Sequence, residues 1–438
     1  MGASTATFDC DAVVIGGGMA GRAACLHLAR AGMKVICVEP RTELGQPVGE
    51  SLDWSSPELL KALGLPMEQL VSRSVATWKR HVTLKMPCGE PEHYVPLPWM
   101  ARQPFNVEVR TLHVDRTRLD RELMEAVVKR GVEVVHDKVA RVQSDGRKVL
   151  AVETAGGRRI AARWFVDASG AGASLLARHF GLKANLGGPP KVAMWTYLHV
   201  GESIEGTTLY MEPRASEYLD WIWEIPVQPD LVSVGYVVTG AGMKARREAG
   251  ETVEGIFRGQ LEKFPRFQKL LAEKPLGEVN VTSFRARTFV GTAGPNWVIA
   301  GEAASMVDPV TSNGVTAALR HAAEACALIV KNRESGRLPW MARICYSMRV
   351  VYMGKFFNGG IEKLVYEPAV RNHIGLRHAG TVYISPAWGM NLVYARWSPR
   401  GVFMTALFGL SLLFFRAATW VVYQVCKMLP QPAEAAGC

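Results

Sequence analysis

The chain opens with a strand, a glycine turn, a helix and a second strand, and this pattern limits the possible folds more than any other feature. An apolar run leads into a G-x-G-x-x-G motif, a helical pattern follows, and a second apolar run ends in Glu39. The motif consists of Gly16, Gly18 and Gly21. Such glycines allow a tight turn and close approach of a pyrophosphate at a helix N-terminus, and the acid can bind a ribose hydroxyl. The pattern therefore predicts a Rossmann-like α/β domain that binds a dinucleotide.

The rest of the chain predicts a second domain inserted into the first. Short strands separated by Gly-Gly and Asp-Gly occupy residues 132–167, and residues 185–280 are rich in strands and aromatic side chains. A buried strand of the first type returns near residue 296 and enters a long apolar helix at residues 314–331. A chain of 438 residues also exceeds one typical domain. We therefore expect an α/β (α+β) fold with an inserted antiparallel-sheet substrate domain.

Charge and cysteine content exclude several classes of protein. The formal charge of +11 comes from scattered lysines and arginines, so nucleic acid is not an expected partner. A basic face could instead suit an anionic membrane surface, a halide or phosphate-bearing cofactor, or an acidic carrier protein. The eight cysteines form no C-x-x-C pair and the first eight residues form no secretory signal. These features predict reduced thiols, no metal site and a cytoplasmic location.

The carboxyl-terminal region contains an unusually apolar segment. Residues 401–426 carry a single charge, Arg416, and bulky apolar residues lie on every face of the expected helix. A bilayer span needs about 20 apolar residues, and an arginine near its centre costs roughly 2.5–3.5 kcal/mol. Three arrangements remain open: a helix that covers the enzyme's own apolar surface, one that lies in a membrane interface, and one that spans the bilayer.

Three further segments are similar to patterns of the FAD monooxygenase-like superfamily. They are R-x-x-L-D beginning at Arg116, D-A-S-G at residues 167–170, and G-E-A-A at residues 301–304. The resemblance implies an FAD cofactor contacted by Arg116 and Glu302, although Glu302 stands where aspartate is usual, which leaves the geometry of that contact open. Arg116 could alternatively form a surface salt bridge. The implied division of the chain is an FAD-binding domain at 8–75, 105–185 and 281–335, a substrate domain at 76–104 and 186–280, and a helical region at 336–438.

Residues 221–226 read W-I-W-E-I-P and match the W-x-W-x-I-P signature of flavin-dependent halogenases at every fixed position. This resemblance, which covers roughly residues 8–335, implies that Trp221 and Trp223 form a wall that keeps the substrate away from the flavin. The alternative is an aromatic strand that packs a core.

The same family has an active-site lysine 13 residues after an L-G-x-P segment, and here Lys79 follows L-G-L-P in that way, downstream of G-E-S at residues 49–51. By resemblance, Lys79 holds and polarises hypohalous acid. A solvated surface lysine is the alternative. His81 is a candidate for a base that activates a phenol, and an ordinary structural histidine is the alternative.

Residues 306–314 resemble the F-x-x-P-x-x-S-x-G turn of the halogenases, with methionine in place of phenylalanine. The resemblance implies that Ser312 belongs to the site, that Gly314 lies beside the flavin, and that Asn313 and Gly314 hold the halide. A plain helix-entry turn is the alternative. Halogenases of free tryptophan carry glutamate before the serine, whereas this chain has Thr311. Phenols, pyrroles or carrier-bound aromatics are therefore the expected substrates.

Together these resemblances imply an FADH2-dependent halogenase of secondary metabolism. It would make hypohalous acid from O2 and chloride or bromide and deliver it through Lys79 to a small electron-rich aromatic, free or tethered to an acyl carrier protein. A separate flavin reductase is expected, because residues 150–170 contain no D-G nicotinamide motif of the kind that single-component hydroxylases carry there. The alternatives are a flavin hydroxylase or reductase acting on a lipophilic substrate, and a homologue that binds flavin without turnover. The halide, the regiochemistry, the oligomeric state and peripheral membrane contact through residues 401–426 are left open.

Overall fold

The computed structural model of the chain describes residues 8–43, 47–86, 90–94, 102–103, 110–201, 203–211, 218–374 and 402–430. The described strands are β1 (Cys10–Ile15), β2 (Val35–Val38), β3 (Ala76–Lys79), β4 (Val82–Lys85), β5 (Glu92–Tyr94), β6 (Thr111–Val114), β7 (Glu133–Val135), β8 (Val139–Ser144), β9 (Val149–Thr154), β10 (Arg159–Asp167), β11 (Ala184–His199), β12 (Thr207–Met211), β13 (Trp221–Gln228), β14 (Leu231–Thr239), β15 (Asn280–Phe289), β16 (Trp297–Ile299) and β17 (Ser305–Met306).

The described α-helices are α1 (Met19–Arg30), α2 (Ser56–Ala62), α3 (Met67–Ser72), α4 (Arg116–Lys129), α5 (Gly170–Ala173), α6 (Leu175–His179), α7 (Gly240–Glu248), α8 (Val253–Leu261), α9 (Pro265–Glu273), α10 (Gly314–Lys331), α11 (Trp340–Ile361), α12 (Pro368–Ile374) and α13 (Val402–Met428). Turns of 3₁₀-helix lie at Gly301–Ala303 and Pro309–Thr311, and a π-helical turn at Glu362–Tyr366 separates α11 from α12.

The first sheet has the order β7-β2-β1-β10-β9-β8, with β16 also paired to β10. The pairs among β7, β2, β1, β10 and β16 are parallel, whereas β8, β9 and β10 are antiparallel. Strands β1 and β2 are apolar at nearly every position because both faces of a parallel sheet are covered. Helices α1 and α10 pack against each other beside this sheet. This arrangement confirms the predicted Rossmann-like domain and its discontinuity, because β16 comes from residues far along the chain.

The second sheet is mostly antiparallel, with the order β17-β15-β11-β14-β13-β12-β4-β5 and one parallel pair, β12 with β4. Alternation along β13 divides its side chains between two cores. Trp221 and Trp223 face one core together with residues of α11 and α13, whereas Ile222 faces a second core with residues of α8 and α9. Strand β13 is therefore buried on both sides, as its apolar composition requires.

The strands depart from the expected division of the chain at two places. Strands β15 and β17 fall in the range 281–335 expected for the FAD-binding domain, apart from the first residue of β15, but they pair within the eight-stranded sheet. Strand β3 falls in the range 76–104 expected for the substrate domain, but it pairs with β6 in a separate two-stranded sheet. The reason is that β-pairing partners are set by tertiary contacts, which the local sequence does not specify.

The carboxyl-terminal region is helical, as expected, and α13 runs along α11. Arg349 donates a hydrogen bond from Nη1 to Thr405 Oγ1 at 3.1 Å, and Phe356 contacts Phe415 edge-to-face. Gly409 lets the helices approach closely, since a Cβ atom there would lie 2.7 Å from the ring of Tyr352. One face of α13 is thus packed on the protein along its length.

Candidate active site

The glycine turn has the geometry that a dinucleotide requires. Gly16 adopts φ +97°, a left-handed conformation that favours glycine, and a Cβ atom at Gly21 would lie 1.8 Å from the Gly16 carbonyl oxygen. At Gly18, which precedes the first residue of α1, a Cβ atom would meet nothing within 4 Å. Two glycines therefore close the turn, and the third leaves open space where a phosphate can approach the helix N-terminus.

Glu39 lies at the end of β2, as predicted, but its carboxylate already has protein partners. The Gly17 backbone N–H donates to Oε2, while the backbone N–H and Nε of Arg41 donate to Oε1 at 3.0 and 2.7 Å. Burial raises the pKa of Glu39, but these hydrogen bonds outweigh that effect and lower it. A ribose at this position would share the carboxylate with Arg41, a residue that the motif does not include.

Arg116 is buried rather than exposed at the first turn of α4. Its Nε and Nη2 atoms donate to Asp120 at 3.2 and 3.3 Å, and Nη1 donates to the Val48 carbonyl at 2.7 Å. Arg22 of α1 contacts the same Asp120 at 2.9 Å. The i,i+4 salt bridge considered as the alternative therefore exists, but it is buried and fixes the guanidinium.

Glu302 is accessible to solvent, and two arginines lie near its carboxylate. Burial raises the pKa of this carboxyl group, while Arg116 and Arg287 act in the opposite direction. Glu302, the open space at Gly18 and the open space at Gly314 are all on the side of the first sheet where α1 and α10 begin. The residues present thus fit an FAD, with Gly18 and Glu39 toward the adenosine half and Arg116, Glu302 and Gly314 toward the flavin half.

Lys79 ends strand β3 and is fully buried. Its Nζ atom donates to Ser51 Oγ at 2.8 Å and to the Leu52 carbonyl at 2.9 Å, and it lies 5.3 Å from the centre of the Trp54 ring. Burial lowers the pKa of Lys79 to about 7, and the nearby Asp53 carboxylate opposes this shift. At neutral pH the ammonium and amine forms are therefore both populated, and the alternative of a solvated surface lysine is wrong.

One hydrogen-bonded link, through Ser51, and one electrostatic link, through Asp53, connect Lys79 to the turn that precedes α10. Ser312 Oγ donates to Ser51 Oγ at 3.1 Å, and Asn313 Nδ2 donates to Asp53 Oδ2 at 2.9 Å. Ser312 has φ 57°, an uncommon conformation for a residue other than glycine, which the turn holds in place. The structure thus brings Lys79, Ser312 and Asn313 together although they are far apart in sequence.

The Thr311 side chain does not point to an open site. It is buried, and its Oγ1 atom donates to the Asp308 carbonyl at 3.2 Å. This position therefore stabilises the 3₁₀ turn at Pro309–Thr311, which explains why a short hydroxyl residue suits it.

Trp221 and Trp223 are both buried, with ring centres 5.8 Å apart, and they share a core with Trp54 and with Val307 and Val310 of the turn. Trp223 Nε1 donates to Ser233 Oγ at 3.1 Å, and Ser233 Oγ donates to Glu50 at 2.9 Å. The indoles therefore belong to the core that contains Trp54, whose ring lies below Lys79, and two residues of the turn. They pack a core, as the alternative states, and their role as a wall between substrate and flavin stays a prediction.

A buried polar network joins Trp221 to the carboxyl-terminal region. Trp221 Nε1 donates to Tyr366 OH at 2.8 Å, and Tyr366 OH donates to Asp308 Oδ1 at 2.8 Å. Lys191 Nζ donates to Asp308 Oδ2 at 2.8 Å and to Glu362 at 3.2 Å. Both Tyr366 and Asp308 are buried, so this network fixes the indole relative to the turn.

His113 lies in the Lys79 network, whereas His81 does not have a hydrogen bond to it among the described contacts. The Nε2 atom of His113 is 2.8 Å from Thr207 Oγ1, which in turn is 2.8 Å from Ser51 Oγ. Burial and the charge of Lys79 hold the pKa of His113 well below its ordinary value. His113 is therefore neutral at neutral pH. No sequence motif indicated it.

The described cysteines are free and buried: Cys10, Cys25, Cys37, Cys326, Cys345 and Cys426. Within the part of the chain that the structure describes, no group of three His, Cys, Asp or Glu side chains could hold a metal ion.

Comparison with known proteins identifies the family. The family model described as tryptophan halogenase matches residues 96–336, more than half of the chain. The chain belongs to this family. A model described as FAD dependent oxidoreductase matches residues 11–103, so this halogenase-family member is an FAD-dependent oxidoreductase. The resemblance inferred from the motifs and the FAD cofactor are confirmed, and the family's reaction consumes a halide.

Several curated relatives align over most of this family member. A tryptophan 2-halogenase from Chondromyces crocatus is 26% identical over 352 residues, and the alignment covers 78% of this chain but only 65% of that protein. A 1H-pyrrole-2-carbonyl-[peptidyl-carrier protein] chlorinase from Pseudomonas fluorescens is 25% identical over 74% of this chain and 76% of its own length. A brominase of the same carrier-bound pyrrole, from Pseudoalteromonas luteoviolacea, is 25% identical over 73% and 77%.

Solved structures share the fold at low identity. The halogenase PltM superposes with a TM-score of 0.70 at 18% identity, covering 96% of this chain and 93% of that chain, and a variant of it is solved with FAD. The flavin-dependent brominase Bmp2 superposes with a TM-score of 0.66 at 20% identity, covering 93% and 99%. These likenesses confirm the predicted architecture, including its helical carboxyl-terminal region.

Proposed function

We propose that the protein is an FADH2-dependent halogenase that transfers chlorine or bromine to an electron-rich aromatic through Lys79. The observation that carries this proposal is the buried Lys79, hydrogen-bonded through Ser51 to Ser312 of the turn expected to hold the halide. Reduced FAD, when bound, supplies the two electrons per O2 that allow a halide to be oxidised to hypohalous acid. The remaining steps belong to the protein's own residues.

Lys79 acts as a general acid on hypohalous acid. Its ammonium form donates a hydrogen bond to the oxygen of the oxidant and makes the halogen more electrophilic. As the aromatic ring attacks the halogen, the halogen–oxygen bond breaks, and Lys79 gives its proton to the departing hydroxide so that water leaves. A pKa of about 7 suits this role, because efficient acid catalysts titrate near the working pH.

Ser51 and Thr207 connect Lys79 to His113 and provide a path for the proton that Lys79 must regain. The hydroxyls are 2.8 Å apart, and each can both donate and accept. The ring proton released after halogenation passes to the Lys79 amine and restores the ammonium form, and the hydroxyl path connects this site with His113. Neutral His113 at the end of the path can accept or donate a hydrogen bond, depending on which nitrogen carries the proton.

The substrate class that we propose is a phenol, a pyrrole or a carrier-bound aromatic. Thr311 supports this, because it replaces the glutamate of free-tryptophan halogenases and turns toward the backbone. The relatives named for a carrier-bound pyrrole support it further. We also propose a separate flavin reductase as the source of FADH2 and a cytoplasmic location.

The decisive experiment is mass spectrometry of reactions that contain the protein, FAD, a flavin reductase, NADH and bromide. The aromatics tested are phenols, pyrroles, a carrier-bound pyrrole and lipophilic aromatics. A product that carries bromine only when bromide is present supports the proposal. A hydroxylated or reduced product that does not depend on halide would instead identify the alternative, a flavin hydroxylase or reductase.

A further inference from the structure

The outer face of α13 is a continuous apolar surface. Among the side chains that the structure describes between Val402 and Leu429, eleven large apolar ones are exposed, including Phe403 at 76%, Phe414 at 71% and Leu410 at 64%. By length and composition the helix could cross a bilayer, and only 18% of its apolar stretch is buried in the protein. Exposed apolar patches of this kind on soluble proteins mark interaction sites.

The inner face of α13 limits how the helix can contact a membrane. Thr405, Gly409, Leu412 and Cys426 are buried against the protein. As long as this face is packed on the protein, lipid cannot surround the helix. The helix therefore does not span the bilayer in this arrangement. Only the outer face can enter the bilayer, with the helix, about 40 Å long at 1.5 Å per residue, lying in the plane of the surface.

Positive charges border this apolar face. Arg416 and Lys363 line a cleft of about 390 Å³ whose other walls include Gly359, Gly360, Leu413 and Trp420. Lys355 lies close enough to Arg416 that burial and this neighbouring charge lower its pKa. The segment 402–428 contains no aspartate or glutamate. Cations at the edge of an apolar surface attract anionic headgroups, and tryptophan prefers the same interfacial depth.

We propose that α13 docks the enzyme on the surface of a bilayer that contains anionic lipids. The outer face lies among the acyl chains, and Arg416 and Lys363 bind a lipid phosphate. A second copy of the chain is a poorer occupant, because pairing two such faces would bring these cations together with no acidic residue of either α13 to neutralise them. This surface docking does not depend on the reaction proposed above.

Vesicle flotation of the flavin-loaded enzyme tests the proposal, using phosphatidylcholine alone and phosphatidylcholine mixed with phosphatidylglycerol. The wild type should float with the anionic vesicles. Replacing Leu410 and Phe414 with glutamate should weaken binding more than about tenfold, because two exposed apolar side chains that would enter the bilayer are lost. The matched control replaces Val128 and Leu186 with glutamate. These two residues are similarly exposed but lie outside α13, so this variant should float like the wild type.

The charges are tested separately. The double substitution R416Q/K363Q should lower binding to anionic vesicles by roughly fivefold per charge and leave any binding to neutral vesicles unchanged. Retained FAD absorbance shows that each variant is folded. The proposal is overturned if the wild type stays soluble with both vesicles, or if L410E/F414E floats normally. It is also overturned if light scattering shows a dimer that L410E/F414E abolishes, since a second copy would then occupy the face.

Discussion

Replacing Lys79 with methionine should change how the free energy of unfolding depends on pH. In the wild type, burial lowers the pKa of Lys79 from 10.5 to about 7. At 1.36 kcal/mol per unit, keeping the ammonium form in the folded protein costs about 5 kcal/mol relative to the unfolded chain at low pH. Methionine has a similar length and no charge, so the variant lacks this cost.

Proton linkage sets the direction of this stability difference and the pH range in which it changes. Between pH 7 and 10.5 the unfolded chain holds a proton on Lys79 that the folded protein has lost, so the stability of the wild type rises with pH. The stability advantage of K79M should therefore be largest at pH 6 and shrink by about 3 kcal/mol at pH 9. Titrating groups that do not interact with Lys79 contribute equally to both proteins and cancel in the difference. The exception is His113, whose pKa the charge of Lys79 lowers in the wild type.

The measurement is urea-induced unfolding, followed by tryptophan fluorescence at pH 6, 7, 8 and 9, for the wild type and K79M. The control variant is K129M, on the exposed side of α4, which should keep a constant difference from the wild type. If the K79M difference is also constant from pH 6 to 9, the pKa of Lys79 is not lowered, and its role as an acid at neutral pH fails.

Three further predictions concern the cofactor turn, the indole network and the lysine. Gly18→Ala should fold normally but bind FAD more than about tenfold more weakly in a fluorescence titration, because its methyl group occupies the space through which the phosphate approaches. Gly21→Ala should also destabilise the protein, because its Cβ atom would lie 1.8 Å from the Gly16 carbonyl oxygen. Tyr366→Phe should lower the urea unfolding free energy by about 1–3 kcal/mol, because the indole N–H and the carboxylate that it joins lose a partner; no change would show that water replaces the hydroxyl. Asp53→Asn removes a charge that raises the pKa of Lys79, so product formation should decline at lower pH than in the wild type, and an unchanged pH profile would contradict the assigned acid.

The features that the sequence predicted well are those specified by local pattern. The glycine turn and the strands around it form a continuous βαβ unit, so spacing alone located Gly16, Gly18, Gly21 and Glu39. The indole pair was likewise located by a contiguous motif. In each case the residues that define the feature are close in sequence, within a single βαβ unit or a single strand.

What the sequence could not provide were contacts between distant segments. Lys79 stands between a tryptophan and an arginine, and nothing in that context shows that it is buried. His113, Arg41 and Tyr366 became visible only through the hydrogen bonds that the fold creates. The packing of α13 was equally undetermined, because an all-apolar helix does not reveal which face meets the protein.

The central claim is that Lys79 delivers the oxidant to the substrate. It is tested most directly by measuring, in one reaction with bromide, the brominated aromatic, the O2 consumed and the hypobromous acid that reaches a soluble scavenger, for the wild type and K79M. K79M should lose brominated aromatic by about a hundredfold or more while O2 consumption and scavenger bromination continue. Brominated aromatic formed by K79M at the wild-type rate would contradict the account.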